Sequence, residues 1–264
     1  MKIATYNVWN DRDSIDVRTE QLIQEIINVD ADIIGLQEVI PSFWETLIKH
    51  SGYIHQEYRI FKNRGDGLAF LSKYPFENSF FFYDSTEFQN SLAFNITFKV
   101  NGRNFSATNV HLPWDSIIAK EKQIVAVNEY ANGQKDNIDF FILLGDFNCS
   151  YRSSIHGFLT GEQTLLNCEV NSDIWNDCAE YHASRNNYNI APTLDFSRNP
   201  RWRGKITNDN KQIPVACDRI YLMDNAKYFD YGVENVNIFG TSISPETEFS
   251  PSDHYGVLAE VGFF

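Results

Sequence analysis

Carboxylates, carboxamides and histidines recur in this 264-residue chain at points where an apolar run gives way to a loop. They are Asn7, Glu38, His111, Asp146 with Asn148, Asp218, and Asp253 with His254. Glu38, Asp253 and the Asn7 amide offer hard oxygen ligands, which suit Mg2+ or Mn2+. The four cysteines show no CxxC spacing, so a zinc site is not expected. A phosphate ester held beside such a cation needs a group that orients or deprotonates a water opposite the leaving group, and Asp146 suits that task. It also needs donors on the non-bridging oxygens as charge shifts in the transition state, which Asn148, His111 and His254 can supply. Asp218 follows Val215-Ala216-Cys217 and precedes Ile220, where an unpartnered carboxylate is costly. A hydrogen bond to His254 would offset that cost, fix the ring and keep it cationic.

Each position also has a plainer reading. Gly145-Asp146-Phe147-Asn148 is a turn after a buried strand, because Gly, Asp and Asn are ordinary turn residues. Glu38 is a solvated charge at a strand end, His111 a satisfied core histidine, and Ser252-Asp253-His254 a loop-to-strand cap. Asp146 and Asn148 are two apart, and on an extended segment such positions point to one side.

The elements that must carry these groups follow from periodicity. Ile3 to Val8 reads as a strand, Val17 to Asn28 as an amphipathic helix, and Asp30 to Val39 as a second strand. That order favours a parallel crossover and places Glu38 near a strand's C-terminal end. Pro41 to Lys49 is the next helix, with Pro41 at its start. A strand-rich block follows: 58–61, 67–72, 76–83, 91–100 and 105–112. Asn101-Gly102 marks a two-residue hairpin between the last two. Ile117 to Tyr130 returns to helical spacing, and Asp139 to Leu144 is a buried strand ending in Gly145, whose freedom suits a tight turn. Short helices are expected at 153–159 and 173–180, an irregular stretch at 183–213, and strands at 217–223, 229–239 and 254–261. These elements predict an α/β fold with mixed sheets. No tandem period, low-complexity tract or linker interrupts residues 1–264, so one domain is expected.

A net charge of −13 and a pI near 4.8 repel nucleic acid and anionic membranes at long range. A divalent cation or a local basic patch can reverse that sign at a site. Such a patch exists in the sequence. Residues 183–213 hold six basic side chains (Arg185, Arg198, Arg201, Arg203, Lys205, Lys211) against Asp195 and Asp209, interleaved with Tyr188, Phe196 and Trp202. Arg201, Trp202 and Arg203 are therefore candidate substrate-binding residues, combining charge with a stacking surface; a solvated surface insertion is the plainer reading. No leader segment and no 18-residue apolar run is visible, and free thiols fit a reducing compartment, so a cytoplasmic protein without membrane insertion is expected.

Taken in order, Tyr6-Asn7-Val8, Leu36-Gln37-Glu38, Asn109-Val110-His111-Leu112, Gly145-Asp146-Phe147-Asn148, Asp218-Arg219-Ile220 and Ser252-Asp253-His254 resemble the landmarks of the endonuclease/exonuclease/phosphatase (DNase I-like) superfamily. Pro192-Thr193 and the Pro251 to Gly256 ending are similar to its tyrosyl-DNA phosphodiesterase branch. The resemblance implies a four-layer α/β sandwich, two mixed sheets face to face with helices outside. It implies that Glu38 binds a metal with help from Asn7 and Asp253, and that Asp146 activates water. By the same resemblance Asn148, His111 and His254 contact the phosphate, Asp218 backs His254, and Asp66 supports His111. One departure stands out: many family nucleases read Asn-x-Asp-Gly where this chain has Asn7-Val8-Trp9-Asn10.

The leading expectation is a Mg2+-dependent phosphodiesterase acting on nucleic-acid or nucleotide ends, a nuclease or a tyrosyl-DNA phosphodiesterase-like enzyme. The alternatives are a phosphatase or phosphodiesterase of a small phosphorylated metabolite, inositol phosphate or sphingomyelin-type lipid, and a non-catalytic binding module.

Overall fold

The computed structural model describes residues 1–12, 14–61, 64–82, 92–170, 174–203, 213–225 and 230–264. β1 (Lys2–Asn7) runs into α1 (Ile15–Val29) and returns as β2 (Ile33–Val39), which pairs parallel to β1. After α2 (Pro41–His50), β3 (His55–Ile60) and β4 (Gly67–Ser72) extend this sheet antiparallel beyond β2. The chain then changes sheets. β5 (Phe76–Phe81), β6 (Leu92–Val100) and β7 (Arg103–His111) form an antiparallel run. α3 (Ile117–Gly133) crosses over to β8 (Phe140–Asp146), parallel to β7. The expected block of consecutive strands is thus divided, two in one sheet and three in the other.

Past α4 (Ser154–Leu159), a helix was expected over 173–180. The chain instead forms β9 (Asn176–Asp177) and then α5 (Cys178–Asn186). The reason is local: the Asp177 carboxylate accepts the N–H groups of Ala179 and Glu180 at 2.8 and 3.1 Å, a side-chain cap that starts the helix there. β10 (Asp218–Asp224) joins the second sheet; β11 (Tyr231–Phe239) and β12 (Gly256–Phe263) return to the first. β12 starts at Gly256 rather than His254, so the histidine sits in the loop before the strand. The sheet orders are β11-β12-β1-β2-β4-β3 and β5-β6-β7-β8-β10-β9. Residues 83 and 91, 173, 205, 209, 211 and 229, which belong to expected elements or to the basic stretch, lie outside the described residues.

Three buried clusters separate four layers. One lies between the sheets, with Ile3, Phe70, Phe94, Phe105, Ile142 and Val257. The others lie beneath α1 and α2 and beneath α3 and α4. β8 shows why its sequence is an unbroken apolar run: Phe140, Ile142 and Leu144 face the other sheet while Phe141 and Leu143 face the helices. Asn101 and Gly102 take positive φ of 51° and 79°, the paired left-handed geometry of the expected two-residue hairpin. Ile117 and Ile118, read as part of an apolar helix face, are instead 68% and 64% exposed.

Candidate active site

The parallel pairs of the two sheets end side by side, and the polar groups stand on those ends. In the second sheet His111 pairs with Asp146 and Asp146 with Asp218, a row of three across adjacent strands. In the first sheet Asn7 closes β1 and Glu38 lies one residue from the end of β2. Below this row, Gln37 Nε2 donates to Asn109 Oδ1 at 2.7 Å, and Asn109 Nδ2 donates to the carbonyls of Leu36 and Ala69. Two residues quoted only as motif neighbours thereby tie the sheets together beneath the site.

Glu38 takes a left-handed φ of 58° where the β2–β4 register shifts between Leu36 and Val39. Such a conformation is costly outside glycine and occurs where structure holds a side chain against its preference. Two donors hold this one. Asn10 N–H reaches Oε2 at 2.9 Å and the Asn7 amide reaches Oε1 at 3.2 Å. The same amide donates to Asp146 Oδ2 at 3.0 Å, bridging the two sheets. Its oxygen accepts Trp9 N–H at 3.0 Å. Asn7 was expected to assist Glu38 at the metal; its oxygen accepts Trp9 N–H and its amide N–H groups lie between Glu38 and Asp146.

Gly145 is not in a turn but inside β8, with φ of 141°. A Cβ there would stand 2.0 Å from the Val110 carbonyl oxygen of the neighbouring strand. Beyond it, Asp146 Oδ1 accepts Asn148 N–H at 2.8 Å, and Asn148 adopts φ of 48°. The two side chains were expected to project together from an extended segment. The left-handed turn instead sends Asn148 Nδ2 to the Leu112 carbonyl at 2.9 Å and to Asp146 Oδ2 at 3.3 Å.

Both histidines face Asp146. His111 Nε2 lies 3.6 Å from Glu38 Oε1 and 3.7 Å from Asp146 Oδ2; His254 Nε2 is 4.0 Å from the same oxygen. His254 Nδ1 meets Asp218 Oδ2 at 2.9 Å. Burial alone would lower the pKa of His254, but Asp218, Cys217 and Asp146 outweigh it and raise it well above the usual imidazole value. Burial, reinforced by Asp218, raises the Asp146 carboxyl. Burial also acts to raise Glu38, yet His111 and the Asn10 N–H, with His254 and Asn7, hold it below the ordinary range. Asp253 is pushed up to about 6, first by burial and, against the pull of His254, by Glu38. Glu38 and Asp146 both act to raise Asp253, the mark of a negative hollow with hard oxygen donors, which fits a divalent cation.

A further set, Asp146, Cys217, Asp218 and His254, has ligand atoms within 4.8 Å of one another and by proximity could hold a metal ion. Its chemistry argues for a hydrogen-bonded pair instead. His254 Nδ1 is committed to Asp218, and burial with Asp218 and Asp146 pushes the Cys217 thiol up to about 12, so it stays protonated.

Three expectations change. Asp66 was assigned to support His111, but among the described residues neither its carboxylate oxygens nor His111 Nδ1 has a hydrogen-bond partner; Asp66 pairs with Arg64 at 3.4 Å. Arg201 was expected to meet substrate. It is buried, donates to the Ser250 carbonyl at 2.7 Å, and lies against the rings of Trp9 and Phe249. Trp202 uses its indole N–H on the Asp253 carbonyl at 3.2 Å. Only Arg203 of these three is exposed.

Residues given no role in the sequence reading complete the scaffold. Arg18 is fully buried and donates to the carbonyls of Val8, Trp9, Asp11 and Pro251. Burial and the nearby Arg201 lower its pKa to about 10. It joins the β1–α1 loop to the Ser252-Asp253-His254 segment. Its signal was present: Arg18 shares the α1 face of Ile15, Leu22 and Ile26, and a cation on an apolar face needs acceptors. Ser252 Oγ donates to the Asn7 carbonyl at 2.7 Å and accepts His254 N–H at 3.2 Å. Thr193 Oγ1 accepts the N–H groups of Cys217 and Asp218 at 3.1 and 3.0 Å.

A family profile described as Endonuclease/Exonuclease/phosphatase family matches residues 4–254. No curated protein sequence matches the chain. Among solved structures, D. rerio TDP2 complexed with a single-strand DNA product superposes with a TM-score of 0.79 at 17% identity, covering 99% of this chain and 98% of that one. An endonuclease/exonuclease/phosphatase from Bacteroides vulgatus gives a TM-score of 0.75 at 19% identity, with coverage of 100% and 98%. The mannosyl-6-phosphatase Bt3783 of Bacteroides thetaiotaomicron gives 0.69 at 18%, with both chains fully covered. At these identities the likeness establishes the DNase I-like α/β sandwich. Among the described residues no helix is long and apolar enough to cross a membrane.

Proposed function

The chain belongs to the Endonuclease/Exonuclease/phosphatase family and is a phosphoester hydrolase, and we propose that it is a Mg2+- or Mn2+-dependent phosphodiesterase acting on nucleic-acid or nucleotide ends. The observation that carries this reading is the convergence on Asp146 Oδ2 of Asn7 at 3.0 Å, His111 at 3.7 Å and His254 at 4.0 Å. Glu38 and Asp253 would hold the cation, which when bound supplies positive charge to the phosphoryl oxygens. Asp146 takes the proton of the attacking water. Its raised pKa makes it a stronger base than an exposed aspartate, while Asn7 and Asn148 fix its orientation. His254, kept cationic by Asp218, places a positive N–H group where charge develops on the phosphoryl group, and the His111 ring stands beside it.

The substrate class draws on two features. Trp114, three residues after His111, is 76% exposed, and Ile117 and Ile118 continue the surface; an aromatic face there can stack on a base or an aromatic leaving group. Arg203 is exposed beside Trp202. The D. rerio neighbour with its DNA product supports the same class. A second reading, a phosphatase of a small phosphorylated metabolite, is favoured by the burial of Arg201, the net charge of −13 and the fold shared with a mannosyl-6-phosphatase. A panel of 5′-tyrosyl oligonucleotide, abasic duplex, poly(A), sphingomyelin, sugar phosphates and inositol phosphates, assayed with Mg2+, separates them. Preference for a nucleic-acid end supports the first reading; turnover confined to sugar or inositol phosphates replaces it with the second.

A further inference from the structure

A recess separate from the carboxylate hollow opens where α5 and residues 188–193 lean on β10 of one sheet and on β11 and β12 of the other. Its cavity volume is about 340 Å³, within the range of small-molecule sites. Ile190, Ile220, Val236 and Ile238 give it an apolar lining, and Asn237 stands on its β11 side. Glu38, His111, Asp146, Asp253 and His254 do not line it, but Asp218 does.

Asp218 is 2% exposed, and its two oxygens are used unequally. Oδ2 holds His254 Nδ1 at 2.9 Å, whereas Oδ1 has no hydrogen-bond partner among the described residues. A buried carboxylate oxygen without a donor is unfavourable, so the site favours a ligand that brings one. The neighbouring charges set the sign of that ligand. Asp177, in the same lining, is paired with Arg219 at 2.8 Å. Arg219 is also in the lining, but its guanidinium is drawn to Asp177, His156 and Tyr221, the last packed beneath the helices on the other face of β10. His182 is engaged with the Tyr188 hydroxyl. A carboxylate needing a donor inside an apolar lining selects against phosphate and for an organic cation.

We propose that this recess binds a small molecule with an apolar body and a cationic N–H donor head, and that the head's contact with Asp218 slackens its hold on His254. Such a ligand inhibits without occupying the carboxylate hollow. The inference rests on Asp218 orienting His254, as in the reading above.

Benzamidine is a suitable probe, since its flat amidinium matches a carboxylate and its ring suits the lining. Calorimetric titration of the Mg2+-loaded protein should show saturable binding. Asn237→Trp, which fills the recess from an exposed strand position, should abolish it while leaving turnover of bis(p-nitrophenyl) phosphate unchanged. Saturating benzamidine should lower wild-type kcat by about fivefold or more with KM unchanged. Absence of saturable binding, binding that Asn237→Trp leaves intact, competition with substrate, or an unchanged kcat each overturns the proposal. Full activity in His254→Ala would overturn the catalytic reading instead, because calorimetry reads the recess independently of turnover.

Discussion

His254 Nδ1 and Asp218 Oδ2 stand 2.9 Å apart across the junction of the two sheets, Asp218 on the first residue of β10 and His254 in the loop before β12. The pair converts a packing contact between sheets into a fixed, cationic ring aimed at Asp146. It predicts a pH signature. If the competent form carries His254 as a cation, activity falls as pH rises through its raised pKa. Asp218→Asn removes the main group raising that value, so the alkaline limb should move down toward about 6.5, the ordinary imidazole pKa. Stability follows the same sign. A histidine whose folded pKa is raised stabilises fully below about pH 6.5 and loses that contribution as pH rises through the folded value. Asp218→Asn should therefore cost more stability near pH 6 than in alkali, read by urea denaturation at both. A limb that stays in place denies the pair its role.

Gly145→Ala tests the approach of β7 to β8. The added Cβ meets the Val110 carbonyl oxygen at 2.0 Å and the φ of 141° disfavours any side chain. A loss of roughly 3 kcal/mol or more is expected, measured by thermal or urea unfolding. A variant as stable as wild type would refute the need for glycine at this position.

Arg18→Ala should destabilise by about 3 kcal/mol, because four carbonyl acceptors lose a charged donor inside the protein. The two segments it joins follow Asn7 and lead into His254, so kcat should fall as well. A urea midpoint equal to wild type would show that water replaces the guanidinium at no cost.

Arg201 and Arg203 should separate. Arg201→Ala removes a buried cation from the Ser250 carbonyl and two aromatic rings, and should cost about 2 kcal/mol of stability. Arg203→Ala, on the surface, should leave stability within about 0.5 kcal/mol and raise KM for an oligonucleotide. Equal stability effects would place both arginines in the same environment, contrary to the structure. Trp114→Ala belongs with Arg203: folding is unchanged, and KM rises about tenfold for substrates that stack.

Much of the architecture was legible because its signals are local. The apolar run of 138–144 bounds β8, Asn101-Gly102 announces a hairpin, and strand–helix–strand order announces a parallel crossover. The allocation of strands to sheets was not legible, since β4 and β5 are separated by only three residues, 73–75, yet belong to different sheets. Asp146, Glu38 and the histidines stood out in the sequence as polar groups at strand ends, and the structure brings both histidines within about 4 Å of Asp146 and His111 within about 4 Å of Glu38. Their pairing depends on contacts distant in the chain: Asn7 bonds Asp146 across 139 positions. Arg201 misled for the same reason. A basic stretch looks solvated until tertiary contacts with Trp9 and Phe249 are known, whereas Arg18 announced its burial by its place on an apolar helix face.

The most direct test is the rate of bis(p-nitrophenyl) phosphate hydrolysis by Asp146→Asn at saturating Mg2+, with wild type assayed in parallel with and without excess EDTA. The expected kcat loss is about 10²- to 10⁴-fold with unfolding unchanged, together with loss of wild-type turnover in the chelator. An Asp146→Asn variant within a few fold of wild type, or full wild-type activity in EDTA, would contradict water activation by Asp146 beside a divalent cation.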